Sequence, residues 1–113
     1  MNSLHSVTAE KVEKVVDRII EIAHPKKVIL FGSYINRTME EVSDLDILVV
    51  ERDDVENIHK ESVRIREALE DIIMPMDILV VRESHFERSK DTPGLIYREA
   101  LRTGKVVYEA KKV

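Results

Sequence analysis

Apolar positions recur along the first part of the chain at three- and four-residue spacings. Val12, Val15, Val16, Ile19, Ile20 and Ala23 form one stripe, which predicts an amphipathic helix from about Thr8 to His24. Thr8 is placed to cap it, Glu10 suits its first turn, and Pro25 stops it. The period then changes. Lys27-Val28-Ile29-Leu30-Phe31 is a short β-branched and apolar run, read as a strand ended by Gly32-Ser33. Tyr34 to Ser43 is polar and mixed, which fits a turn with a short helical piece.

Leu45-Asp46-Ile47-Leu48-Val49-Val50 is apolar at nearly every position, as expected of a central strand covered on both faces. Arg52-Asp53-Asp54 reads as a loop. A helix from about Val55 to Ile72 follows, with Ile58, Ser62, Ile65, Leu69 and Ile72 as its inner stripe and Ala68 alongside. Met76-Asp77-Ile78-Leu79-Val80-Val81 is a third strand, and it shares Asp-Ile-Leu-Val-Val with the second. Ser84 to Ser89 reads as one or two helical turns. Thr92-Pro93 predicts a helix start, with Thr as the cap and Pro in the first helical position, and Gly104 is expected at the C-terminal cap. Val106-Val107-Tyr108 is an expected edge strand, and Lys111-Lys112-Val113 a frayed tail. The order predicts a mixed central sheet with helices packed against it, in the α/β or α+β class.

Length sets the organisation. The 113 residues suit one domain, spanning 1–113, and are too few for two. A core of this size is modest, so a large substrate is expected to rest on the surface or against a second protein. Hydrophobic residues make up 43% and charged residues 35%, and no run approaches a membrane span. The N-terminus lacks signal-peptide features and there are no cysteines, which excludes disulfides and thiolate zinc sites and favours a cytoplasmic protein. The net charge of −4 argues against bulk nucleic-acid binding; a small polyanion escorted by metal ions, or a basic protein partner, fits better. His5, His24, His59 and His85 have no metal-ligand spacing among them.

The candidate chemistry lies at strand ends. Asp44 and Asp46 alternate onto one face of the second strand, and Asp77 lies near the start of the third. Neighbouring carboxylates repel unless a cation sits between them, and Mg²⁺, which prefers carboxylate and phosphate oxygen, is the natural candidate. Two such ions could clamp the attacking and leaving oxygens of a phosphoryl displacement, and the third carboxylate could accept the attacking hydroxyl's proton. Gly32 lets backbone approach a phosphate, Ser33 offers a hydroxyl, and Arg37 in the same loop could contact a phosphate in forked geometry.

Gly32-Ser33, then Asp44-Leu45-Asp46-Ile47-Leu48-Val49, then a later strand with Asp77, resembles the nucleotidyltransferase superfamily that includes DNA polymerase beta and kanamycin nucleotidyltransferase. The resemblance spans roughly Val28 to Val81, and the small size resembles the minimal nucleotidyltransferase (MNT) group of prokaryotes. The joint motif is fairly specific, whereas Gly-Ser or Asp-x-Asp alone is weak. The resemblance implies that Gly32 and Ser33 bind the triphosphate, that Asp44 and Asp46 ligate Mg²⁺, and that Asp77 is the third catalytic and metal-binding carboxylate. It also implies a HEPN-domain toxin as partner, onto whose tyrosine an MntA-type antitoxin transfers AMP from ATP. Where many relatives carry Arg-Gly three places after the serine, this chain has Asn36-Arg37, so the arginine comes one place later and the glycine is missing. A non-catalytic antitoxin and a nucleotide-sensing homodimer are the alternatives, and the exposed part of the first helix's stripe could serve a dimer or partner contact.

Overall fold

The computed structural model describes residues 6–32, Ile35 and residues 44–111. Ser33 and Arg37, and most of the loop expected between Tyr34 and Ser43, lie outside the described residues.

Helix α1 spans Ala9–Ala23. Its start is the one its sequence encodes, with the Thr8 hydroxyl accepting from the Lys11 amide at 3.2 Å. His24 closes it in the left-handed conformation, donating its amide to Ile20 O, and Pro25 follows. Strand β1 is Lys27–Phe31 and β2 is Leu45–Glu51. Helix α2 covers Ile58–Ala68, shorter than the expected Val55–Ile72, because the Asn57 side chain caps it by accepting from the Lys60 amide. Ile65, Leu69 and Ile72 are buried, so the predicted inner stripe does face the core.

Strand β3 is Met76–Arg82, helix α3 is Glu83–Ser89, helix α4 is Ile96–Thr103 and strand β4 is Lys105–Glu109. The expected helix start at Thr92-Pro93 is not there. Those residues form a turn in which the Leu95 amide donates to Thr92 O and Gly94 takes φ 86°. A Pro–Gly pair in the two central positions, with the glycine at positive φ, is the signature of a type II turn. The turn holds the chain back, and α4 begins after Leu95.

The sheet order is β3-β2-β1-β4. Strand β1 runs antiparallel to both neighbours, whereas β2 and β3 are parallel and joined through α2. The two copies of Asp-Ile-Leu-Val-Val align residue for residue, from Asp46↔Asp77 to Val50↔Val81. Alternation along β2 sends Leu45, Ile47 and Val49 to a core shared with Val15, Ile19 and Ile65 of α1 and α2. Leu48 and Val50 go to the other face, against Phe86 of α3 and Ala100 of α4. The protein is therefore a mixed four-stranded sheet with a helix layer on each side, an α+β arrangement. No helix of the described residues is long and apolar enough to cross a membrane.

Candidate active site

Three chain segments meet at one end of the sheet: the exit of β1 and the entries of β2 and β3. Because β2 and β3 are parallel and in register at Asp46↔Asp77, their entries lie side by side. Backbones about 4.8 Å apart put the two carboxylates on the same face at neighbouring positions. That face is the α3/α4 side, shared with Leu48, Val50, Val81 and Phe31. Phe31 pairs with Asp46 across β1 and β2, so the residue after Phe31 is brought to the same corner.

That residue is Gly32, with φ 95°. A Cβ there would lie 2.5 Å from Asp46 Oδ2, 3.0 Å from Asp46 Cγ and 3.2 Å from Asp44 O. The space a side chain would occupy is filled by the Asp46 carboxylate. Glycine is required twice over, by the backbone angle and by the close approach.

Asp46 is half-buried, whereas Asp44 and Asp77 are exposed. Burial raises the Asp46 pKa, and the charges of Asp77 and then Asp44 raise it further. Both neighbours are thus close enough to act on Asp46. The structure brings Gly32, Asp44, Asp46 and Asp77 together; Ser33 and Arg37 fall outside the described residues.

The donor chemistry fits a hard divalent cation: adjacent carboxylates, one of them strained by the charge of the others. Among the described residues no group of three or more His, Cys, Asp or Glu side chains is arranged to cage an ion by itself. Mg²⁺ does not need such a cage, because it commonly takes one or two carboxylates and completes its shell with water and substrate phosphate oxygens.

Two features are not legible in the sequence: the steric demand for glycine at position 104 and the burial of Glu51. Gly104, the predicted C-cap, does donate its amide to Ala100 O, but it is extended, at φ −91° and ψ −176°. Its need for glycine is steric, since a Cβ would strike Ala100 O and lie 2.6 Å from Leu30 O and 3.0 Å from Phe31 Cβ. It seats the α4–β4 junction on the end of β1, beside Gly32. The other is Glu51, fully buried at the far end of β2. Nothing in an acid that follows an apolar strand announces burial, because solvent is its usual surrounding.

The polymerase beta nucleotidyltransferase family model matches residues 10–113, and the chain belongs to that family. Among solved structures it is similar to a Sulfolobus solfataricus protein assigned as a nucleotidyltransferase. The identity is 18% and the TM-score 0.58, with 91% of this chain and 81% of that one covered. It is also similar to a toxin–antitoxin solved with AMP-PNP, at 23% identity and TM-score 0.50, with 93% and 76% covered. A mutant MntA–HpeT toxin–antitoxin aligns at 19% identity and TM-score 0.45, covering 94% and 76%. At these identities the likeness is one of fold. No curated protein sequence matches the chain.

Proposed function

We propose that this chain, as one minimal nucleotidyltransferase domain, moves a nucleoside monophosphate from a Mg²⁺-bound triphosphate to an acceptor hydroxyl. The observation that carries this reading is the Asp46↔Asp77 register at the sheet end, with the Asp46 carboxylate pressed against a glycine that has no room for a side chain. Family membership supports the reaction type.

Asp44 and Asp46 would hold Mg²⁺, with Asp77 completing the set; when bound, the ions neutralise charge on the phosphates and on the attacking oxygen. Gly32, with Ser33 and Arg37 beyond it, offers the surface for the triphosphate, since a bare backbone admits phosphate oxygens closely. The acceptor oxygen attacks the α-phosphorus, and its proton passes to Asp77, the more exposed of the register-paired carboxylates. The bond from the α-phosphorus to the oxygen bridging to the β-phosphorus breaks, and pyrophosphate leaves with the electron pair.

ATP is the proposed donor and a tyrosine of a HEPN-domain toxin the proposed acceptor, which would make the chain an antitoxin. One structure that shares this fold is a toxin–antitoxin solved with AMP-PNP, and this motivates both choices. The test is intact mass spectrometry of a co-encoded partner after incubation with this protein, ATP and Mg²⁺. Addition of AMP that disappears with Asp46→Asn or Asp77→Asn supports the proposal. A tight complex with no added nucleotide mass would favour stoichiometric neutralisation instead.

A further inference from the structure

A second carboxyl pair sits at the other end of β2 from the candidate active site. Glu51, the last residue of the strand, is 0% exposed, and neither of its carboxyl oxygens meets a hydrogen-bond donor among the described residues. What faces it is another carboxyl, that of Glu61 on α2, within hydrogen-bonding reach. Arg64 grips Glu61 from the other side: its Nε donates to Oε1 at 2.9 Å and its Nη2 to Oε2 at 3.1 Å. The same Nη2 donates to Ile22 O, near the end of α1, at 2.9 Å.

Two ionised carboxylates cannot share a dry corner without a proton or a cation between them. One of the pair must be an acid that donates to the other. Burial alone would raise Glu61, but the hydrogen bonds from Glu51 and Arg64 outweigh it and lower its pKa. Glu61 is therefore the carboxylate and Glu51 the acid. Burial first, then the hydrogen bond and charge of Glu61, push Glu51 up to about 8. A protonated Glu51 has an O–H to donate to Glu61, which gives one of its two otherwise unpartnered oxygens a partner.

The other charged groups at this corner do not replace the proton. Arg52, next on the chain, and Arg64 both act to lower Glu51, yet they do not outweigh its burial. Arg82, the register partner of Glu51 on β3, spends its guanidinium on the carbonyls of Val55 and Glu56 at 2.8 to 3.0 Å. His24 and Lys26 border the turn between α1 and β1.

We propose that Glu51, Glu61 and Arg64 form a proton-held latch that fastens α2 to the end of β2 and to α1, and that loss of the Glu51 proton releases α2. The sign follows from proton binding. The closed form holds a proton that an exposed glutamate gives up near 4.5, so raising the pH favours opening until Glu51 itself has ionised, near 8. The opening constant should then rise about tenfold from pH 6 to 7, more slowly from pH 7 to 8, and level off beyond, roughly 100-fold in all from pH 6 to 9. The Arg82 hydrogen bonds to the carbonyls of Val55 and Glu56 tether the loop before α2 to β3 independently of the Glu51–Glu61 pair.

Hydrogen exchange of the α2 amides between pH 6 and 9, corrected for intrinsic exchange, reads this directly. The wild type should show the rise, and Glu51→Gln should remove it, because a glutamine amide donates to Glu61 without a titratable proton. A carbon-13 titration of the Glu51 carboxyl in the wild type keeps the test independent of how the variant folds: the carbon should remain in its protonated state at pH 6. The same pH slope in Glu51→Gln as in the wild type, or a Glu51 carboxyl that titrates near 4.5, would overturn the latch.

Discussion

Replacing Gly32 by alanine isolates the geometry on which the candidate site depends. Gly32 has φ 95°, and a Cβ there would lie 2.5 Å from Asp46 Oδ2. The left-handed backbone alone costs an L-residue about 1–2 kcal/mol. The contact with a half-buried carboxylate adds overpacking, of the order of 1 kcal/mol or more, because Asp46 must turn away. Gly94→Ala provides the control. It has a similar φ of 86° but nothing within 4 Å of its Cβ, so it should pay the backbone penalty and little else. Urea denaturation of the two variants should therefore place Gly32→Ala below Gly94→Ala by roughly 1 kcal/mol or more. Calorimetry with ATP and Mg²⁺ should show binding weakened in the first and kept in the second. Equal stabilities of the two variants, with nucleotide binding intact in both, would refute the close packing of Gly32 on Asp46 and its bearing on the site.

Further outcomes follow from the same structure. Asp46→Asn should stabilise the fold at neutral pH by roughly 0.2–1 kcal/mol, because it removes like charge from adjacent strand ends. The sign comes from the raised pKa of Asp46: an acid raised on folding favours the fold below its ordinary pKa of 3.8 and loses that contribution as pH climbs through the folded value. The gain should therefore vanish in urea melts taken below pH 3.8. Gly104→Ala should cost about 1–3 kcal/mol, since its Cβ would strike Ala100 O and crowd Leu30 O; an unchanged thermal midpoint would argue against that packing. Arg64→Ala removes the paired hydrogen bonds to Glu61 and the one to Ile22 O, and should lower stability by about 1–3 kcal/mol at pH 7, measured by urea melts.

Local chemistry made much of the fold legible. Thr8 and Pro25 bracket α1, and the unbroken apolar run of β2 reflects its burial on both faces. The repeated Asp-Ile-Leu-Val-Val marked two neighbouring core strands, and the parallel register then set Asp46 beside Asp77. The misread element, at Thr92-Pro93, carried its own correction in Gly94: Pro followed by Gly favours a turn over a helix start. Helix α2 begins at Ile58 rather than Val55 because the Asn57 side chain holds the cap. What local pattern cannot supply is the non-local contact. The pairing of Glu51 with Glu61 exists only once α2 has docked, and part of the steric demand for glycine at 104, from Leu30 O and Phe31 Cβ, comes from β1, more than seventy residues away along the chain.

In the proposed function the entries of β2 and β3 hold a metal–nucleotide complex through Asp46 and Asp77, with Asp44 beside them. Paramagnetic broadening of amide resonances by Mn²⁺ with ATP, with Mn²⁺ standing in for Mg²⁺, locates such a complex without any acceptor. Broadening should centre on Gly32, Asp46 and Asp77, spare Arg82 and Glu51 at the far strand ends, and be lost in Asp46→Asn. Broadening centred elsewhere on the protein, or unchanged by Asp46→Asn, would rule out a nucleotide site at these strand entries.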